Sequence, residues 1–407
     1  MWRMIGPALL FSGAAIGTSH LVQSTRAGAL YGLALVIVIL ITFALKYPAF
    51  RFGVDYGHAA RRSLMSGYRE LGMWAPALFA IAAIPVVPVI YAALATGTAG
   101  IASFMFGISA PVALTAIGIF AAVALTLMIG GYDWLDRINR VLMAFLVIST
   151  IATTVMILPR VEWGTALNID WAADPKTILF VVALAGFMPN PLDVSLTQSM
   201  WTAEAESRLK PGEGSPLSEA RSAFFVGYGV TALLAVCFCI MGAGVMHSAG
   251  IAPEASAVGF AQQIVELYSS VLGDWAAMLV AIAALSVMLT TLFVALDIGG
   301  RHVASFVQET IGSAGHNAFD KTYRIAVPAL VVCTALVLFA FTAQFTVMLD
   351  LAISVSFVGA PIIATLNHLV VTRCEMDDNA RPSPAVRALN IFAIAVMTGL
   401  AAAFFIL

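Results

Sequence analysis

The sequence predicts an all-α protein threaded many times through a membrane, and three observations carry that expectation. Of its 407 residues, 61% are apolar and only 10% charged, whereas a soluble domain carries about 25% charged residues. Its mean hydropathy is +0.97. The apolar residues fall in long charge-free runs, such as 30–45, 112–129 and 327–341, approaching the roughly 20 residues that cross a hydrocarbon core. These runs lack the period-2 alternation of a transmembrane barrel.

Taken in order, the runs predict eleven spans near 5–27, 30–51, 73–106, 111–131, 138–158, 176–200, 221–247, 275–298, 323–342, 346–371 and 385–407. The third holds Pro85 and Pro88, and reads either as one long tilted helix or as a helix bent at those prolines. Residues 1–16 continue into the first span and read as a retained helix rather than a cleaved leader. Residues 247–274 read as the longest loop. With the N-terminus placed in the cytoplasm, nearly all of the 20 Lys and Arg residues sort to one side, among them Lys46, Arg51, Arg61, Arg62, Arg137, Arg140, Arg208 and Arg301. Only Arg160 and Lys176 fall on the other side, and Arg26 sits near the outer end of the first span. The positive-inside rule then predicts a multi-pass protein of the plasma (inner) membrane with a cytoplasmic N-terminus. Arg61, Arg62, Arg137 and Arg140 read as topology determinants and interfacial anchors.

Two spans are poor helices in matching places. The first contains Ser12, Gly13, Gly17, Thr18, Ser19 and His20, small and hydroxylated residues of low helix propensity. The sixth contains Gly186-Phe187-Met188-Pro189-Asn190-Pro191, whose prolines remove two backbone donors. In lipid, broken backbone is tolerated only where it is buried in protein or lines a cavity. A separation of five spans inverts the second unit relative to the first. Inverted repeats with discontinuous first helices are the architecture of many secondary transporters, with the solute at their midplane. The chain therefore reads as one transmembrane domain over 1–407, with repeat one about 5–158, repeat two about 176–371 and an extra helix about 385–407. The expected mechanism is alternating access around Gly17, Thr18, Ser19, His20, Gln23, Ala185, Met188 and Asn190.

At these residues the sequence resembles the NRAMP family of divalent-metal transporters. The likeness runs through Gly6-Pro7-Ala8-Leu9-Leu10, Ala29-Leu30-Tyr31-Gly32, Gly97-Thr98-Ala99, Tyr132-Asp133-Trp134-Leu135-Asp136-Arg137 and Gly186-Phe187-Met188-Pro189. It implies a LeuT-like fold, five plus five inverted helices with an eleventh appended, and a divalent metal ion as substrate. The family's Asp-Pro-Gly-Asn motif is replaced here by Gly17, Thr18, Ser19 and His20. Ala185 and Met188 match two of the family's ligands, but Asn190 stands where the family has His. Ile84, Tyr91 and Leu94 stand where the family has acids of its proton route, so that route is expected to be absent. His20, Met188 and the Ala185 carbonyl remain as metal candidates, a softer set suited to a transition metal. A dication without counter-charge at the midplane is costly, so a small organic or zwitterionic solute, held by half-helix ends with Thr18, Ser19, Gln23 and Arg26, stays open beside the metal.

Individual residues carry alternatives. His20 reads as a ligand, a pH-sensitive group or a buried hydrogen-bonded histidine. Met188 lines the site or fills core, and Asn190 contacts solute or caps a half-helix. Asp193 and Gln198 follow on the sixth span, Asp193 facing a water path or pairing with a base. Arg26 snorkels to the interface or attracts an anionic group. Asp297 and Arg301 stand at i, i+4 and read as a local pair.

Other classes have less behind them. No basic stripe suits nucleic acid, no nucleotide-binding motif suits a pump, and no paired carboxylates or Ser/His/Asp set suits an enzyme. The four cysteines form no CxxC pair. No cofactor is expected; the partners are the lipid bilayer and a small solute or metal ion. A channel or a non-transporting sensor are the remaining alternatives, and the sequence leaves the coupling ion, direction and oligomeric state open.

Overall fold

The computed structural model describes residues 5–129, 133–208, 214–312, 316–340 and 345–406. Tyr132 lies outside these, as do the side chains from Asp133 to Arg140, so the Tyr132–Arg137 motif and the bases Arg137 and Arg140 fall outside the described residues.

The first expected span is cut into α1 (Ile5–Ala15), a π-helical stretch (Ile16–Ser24) and α2 (Thr25–Tyr31). Next come α3 (Val36–Ala60), a short α4 (Leu64–Leu71), α5 (Trp74–Ala83) and α6 (Val87–Phe106). A single 3₁₀ turn, Ile84–Val86, joins α5 to α6. The bend is therefore present, set by Pro85 and Pro88, which cannot donate to the preceding turn. Then follow α7 (Val112–Ile129), α8 (Asp133–Ile157), α9 (Pro175–Phe187), α10 (Val194–Ser207), α11 (Leu217–Met241) with a π-helical end, α12 (Ala257–Leu272), α13 (Trp275–Ile311), α14 (His316–Ala340), α15 (Phe345–Arg373) and α16 (Pro384–Ile406).

Eight helical stretches among the described residues are long and apolar enough to cross a membrane. The interrupted first span and the two shorter apolar helices, Ala144–Arg160 and Pro175–Phe187, account for the other expected runs. Outward faces carry Ile81, Leu125, Ile148, Phe225, Leu336 and Phe405, all exposed. Such a belt costs apolar hydration in water and fits hydrocarbon.

Two cores flank the interrupted helices. One joins Leu21 and Val22 to α6, α7, α12, α13 and α15. The other joins Phe11 to α3, α9, α10, α11 and α16. Its centre is aromatic: the Phe11 ring lies 5.1 Å from Phe50 and 5.2 Å from Phe224, both edge-on, the arrangement that ring quadrupoles favour.

Three expectations are corrected. The 247–274 segment is not a loop throughout, since α12 occupies most of it, capped by the Ser256 hydroxyl accepting from the Gly259 N–H. Its stripe of Phe260, Ile264, Leu267 and Tyr268 packs into the core. Helix α4 is likewise additional, capped by Ser63. Lys46 and Arg51 do not sit in a loop but inside α3, and Lys46 is 1% exposed. Lys46 is therefore not a topology determinant.

Candidate transport site

The first interruption stems from Gly17, whose ψ of −126° leaves the helical region. A β-carbon there would run into the Thr291 side chain of α13, and the Thr291 hydroxyl donates to the Gly13 carbonyl at 3.0 Å. Glycine at 17 thus lets α13 approach the broken backbone. The Ser19 hydroxyl donates to the Ala15 carbonyl and lies 2.7 Å from His20 Nδ1. It also reaches across to the Pro189 carbonyl at 3.4 Å, linking the two interruptions.

His20 is fully buried, with Nδ1 2.6 Å from the Ala15 carbonyl and Nε2 2.9 Å from the Thr231 carbonyl of α11. Both ring nitrogens thus face backbone carbonyls, of which a neutral imidazole can donate to one. The hydroxyl of Thr18 is buried without a hydrogen-bond partner.

The second interruption runs from Met188, where α9 leaves the helical region at ψ 127°, to Val194, where α10 begins. Pro189 and Pro191 cannot donate, so carbonyls at the end of α9 lose their intrahelical partners. Lys46 supplies donors from α3: its Nζ donates to the Gly186 carbonyl at 2.8 Å and to the Asn190 carbonyl at 3.3 Å. Nζ also lies 5.8 Å from the Phe357 ring centroid. The Asn190 amide donates to the Phe11 carbonyl at 3.3 Å, tying this break to α1. Met188 is fully buried, its sulfur 3.8 Å from the Ser24 hydroxyl. Ala185 is buried in the same core.

Between the interruptions lies a cavity of about 50 Å³, lined by Ser19, Asn190, Asp193, Tyr91, Leu94, Phe187 and Thr291, among others. Of the eight residues picked from sequence, Ser19 and Asn190 line it. Gly17 shapes it through Thr291. Gln23 instead joins Arg26, outside the cavity lining. Arg26 neither snorkels nor stands free: its guanidinium makes a two-pronged pair with Asp350 of α15 at 2.7 and 2.9 Å. Gln23 donates to the same carboxylate at 2.9 Å and accepts from Arg26 at 2.6 Å. Planar bidentate geometry makes this the stronger class of ion pair, and it ties α2 to α15.

On the other side of the first interruption lies a larger space among the described residues. A vestibule of about 930 Å³ is lined by Gly6, Pro7, Leu10, Trp201, Glu204, Asp297, Arg301, Asp320 and Tyr323, among others. Asp297 and Arg301 form the expected pair at 2.7 Å, and the Tyr323 hydroxyl donates to the other Asp297 oxygen at 2.7 Å. The Arg26–Asp350 pair thus stands at the α2 end of the interrupted first span and the vestibule at its α1 end.

Sequence reasoning missed Lys46, Thr291, His302 and Asp350. The signal available for Lys46 was its position inside an apolar run. No local signal marks Asp350, whose partners lie more than 300 residues away. Among the described residues, no group of three or more His, Cys, Asp or Glu is placed to hold a metal ion.

A family model described as Natural resistance-associated macrophage protein-like matches residues 8–407. An uncharacterized protein of Pasteurella multocida is 28% identical over 375 residues, 91% of this chain and 85% of that one. A manganese transporter from Eremococcus coleocola superposes with a TM-score of 0.73 at 15% identity, covering 98% of this chain and 85% of that chain. MhsT in complex with L-phenylalanine gives a TM-score of 0.67 at 16% identity, covering 99% and 98%. Mhp1, a nucleobase-cation-symport-1 family transporter, gives 0.59 at 13% identity, covering 99% and 90%. The fold is therefore the LeuT-like one.

Proposed function

We propose, for a chain that belongs to the Nramp family of membrane transporters, that the cargo is a divalent metal cation moved by alternating access between the two interrupted helices. The observation that carries this reading is the small cavity that both interruptions line; in this reading the Arg26–Asp350 pair closes one end of the path and the vestibule opens the other. A carrier needs such a site, reachable from one face at a time. Family membership supports the metal, and the similar Eremococcus coleocola protein is itself a manganese transporter. The backbone carbonyls freed by the breaks and the hydroxyls of Thr18 and Ser19 would give oxygen ligands, with Met188 as the softer group behind them. The proposed setting is the plasma membrane, eleven spans in two inverted repeats plus one, with a cytoplasmic N-terminus and the vestibule on the cytoplasmic side.

A second reading is a small organic or zwitterionic solute. It is favoured by Lys46, which already satisfies the Gly186 and Asn190 carbonyls, and by His20, whose two nitrogens both lie against backbone carbonyls rather than toward the cavity. The carboxylate of Asp193 and the ammonium of Lys46 together leave no net counter-charge for a dication. The MhsT complex with L-phenylalanine gives an example of this fold holding an amino acid.

Proteoliposomes separate the two readings. Saturable Mn²⁺ uptake, competed by other transition-metal ions, is the expected result. No Mn²⁺ uptake, with saturable uptake of an amino acid instead, would overturn the metal and uphold the second reading.

A further inference from the structure

The cavity has one carboxylate, and behind it stands a histidine that the transport path does not otherwise use. Asp193 lines the cavity at the start of α10, its side chain 15% exposed. His302 of α13 is 1% exposed, and its Nδ1 points at Asp193 Oδ2 from 3.6 Å. Among the described residues no hydrogen bond reaches that Nδ1. The other nitrogen, Nε2, lies 2.8 Å from the Thr197 hydroxyl. When that hydroxyl donates to Nε2, the ring proton sits on Nδ1 and faces the carboxylate. Buried polar atoms without partners are rare and call for a reason.

We propose that Asp193 is a proton-coupling site of this transporter, with His302 as its positioning residue; this rests on the carrier reading above. The step is a simple protonation. Asp193 takes one proton from vestibule water and passes from carboxylate to neutral carboxyl, and no other bond changes. His302 keeps its proton throughout and orients the carboxylate through Nδ1–H. The event changes the net charge of the pocket by one unit, since a carboxylate becomes a neutral carboxyl. A charge change at the point where two broken helices meet gives the two conformations different stabilities, as coupling requires.

The other groups around Asp193 fit this assignment. Lys46 from α3, Tyr68 from α4 and Tyr91 from α6 share its electrostatic surroundings. Tyr68 donates its hydroxyl to Asn367, and Tyr91 donates to the Ala295 carbonyl, so neither phenol competes for the carboxylate. Helix α1, packed on the other side, brings no titratable group. At Tyr91 and Leu94, where the resemblance led to an expectation of no acidic proton route, the cavity wall is a phenol and a hydrocarbon. The acid of the cavity has come from the opposite side.

Infrared difference spectroscopy of the purified full chain, titrated from alkaline to acidic pH, tests the site without any cargo. The wild-type protein should show a protonated-carboxyl band that is missing from Asp193→Asn. In His302→Gln the band should remain while its midpoint shifts by about one pH unit, the effect of removing one aimed dipole. Asp193→Glu, which keeps the carboxyl, serves if the Asn variant does not fold, and should move the band in frequency and midpoint. The pH profile of Mn²⁺ uptake in proteoliposomes should shift in parallel in His302→Gln. Identical titrating bands in wild type and both Asp193 variants would overturn the assignment, as would an unchanged midpoint in His302→Gln. If wild-type liposomes take up no Mn²⁺ while the Asp193 band titrates as described, the metal reading falls and the proton site stands.

Discussion

The two interruptions solve the same problem by opposite means. At Gly17 the backbone leaves the helical region inside an otherwise π-helical stretch, and the Ala15 carbonyl is served from within the same segment, by Ser19 and His20, with Thr291 of α13 adding a donor to the Gly13 carbonyl. At Pro189 and Pro191 the helix stops altogether for several residues, and the exposed carbonyls are served from another helix, by the ammonium of Lys46. The difference follows from residue chemistry. Glycine and serine keep their N–H donors and add a hydroxyl, whereas each proline deletes a donor. A break made by glycine can be repaired locally. One made by two prolines requires a donor long enough to arrive from elsewhere, and lysine has that reach.

This contrast predicts which substitutions hurt most. Lys46→Met strips the side-chain donor from two carbonyls and should destabilise the protein by about 2–6 kcal/mol, at about 1–3 kcal/mol for each orphaned group. Thermal denaturation of the purified protein reads this out. An unchanged melting temperature would break the idea that the second interruption depends on an outside donor. Gly17→Ala drives a methyl into the Thr291 side chain and should cost about 1–3 kcal/mol, the usual range for overpacking. Thr291→Gly in the same chain should recover part of that loss, and strict additivity in the double-mutant cycle would contradict the contact. His20→Ala should cost about 1–2 kcal/mol, less than Lys46→Met, because Ser19 still donates to the Ala15 carbonyl. A larger loss than at Lys46 would reverse the comparison.

The smallest effect lies at the start of α9, away from either break. The Thr177 hydroxyl and the N–H groups of Lys176 and Thr177 bond the Asp174 carboxylate and hold its pKa below the ordinary value. A lowered folded value means the cap is intact above the unfolded pKa and lost as pH falls through the folded one. Amide exchange in the first turn of α9 should therefore quicken at acid pH, and Asp174→Ala should show the fast rate at neutral pH.

The parts of this molecule that were legible in the sequence are those set by one stretch of chain at a time. Lipid demands uniformly apolar spans, and Pro85, Gly17, Pro189 and Pro191 each announce a local backbone event. The helices α4 and α12 were harder because they are short and only partly apolar, yet Ser256 before the Phe260, Ile264, Leu267 stripe was a readable cap-and-stripe signal. The site was legible only in outline. Ser19 and Asn190 were picked because they sit in the breaks, but Lys46 was read as a loop base and Asp350 was not singled out. Their roles exist only through partners distant in sequence: Lys46 meets Gly186, and Asp350 meets Gln23 and Arg26. His302 acquires meaning only once α13 lies beside Asp193.

The central claim is that the cavity between the interruptions opens to one face at a time, with the Arg26–Asp350 pair as the closed side. Accessibility of a single cysteine tests it most directly. Leu94→Cys places a thiol in the cavity wall, in a background lacking Cys237, Cys239, Cys333 and Cys374. A membrane-impermeant thiol reagent should label it from the vestibule face alone, and Asp350→Ala should add labelling from the opposite face. Equal labelling from both faces before that substitution, or from neither face after it, would contradict the account.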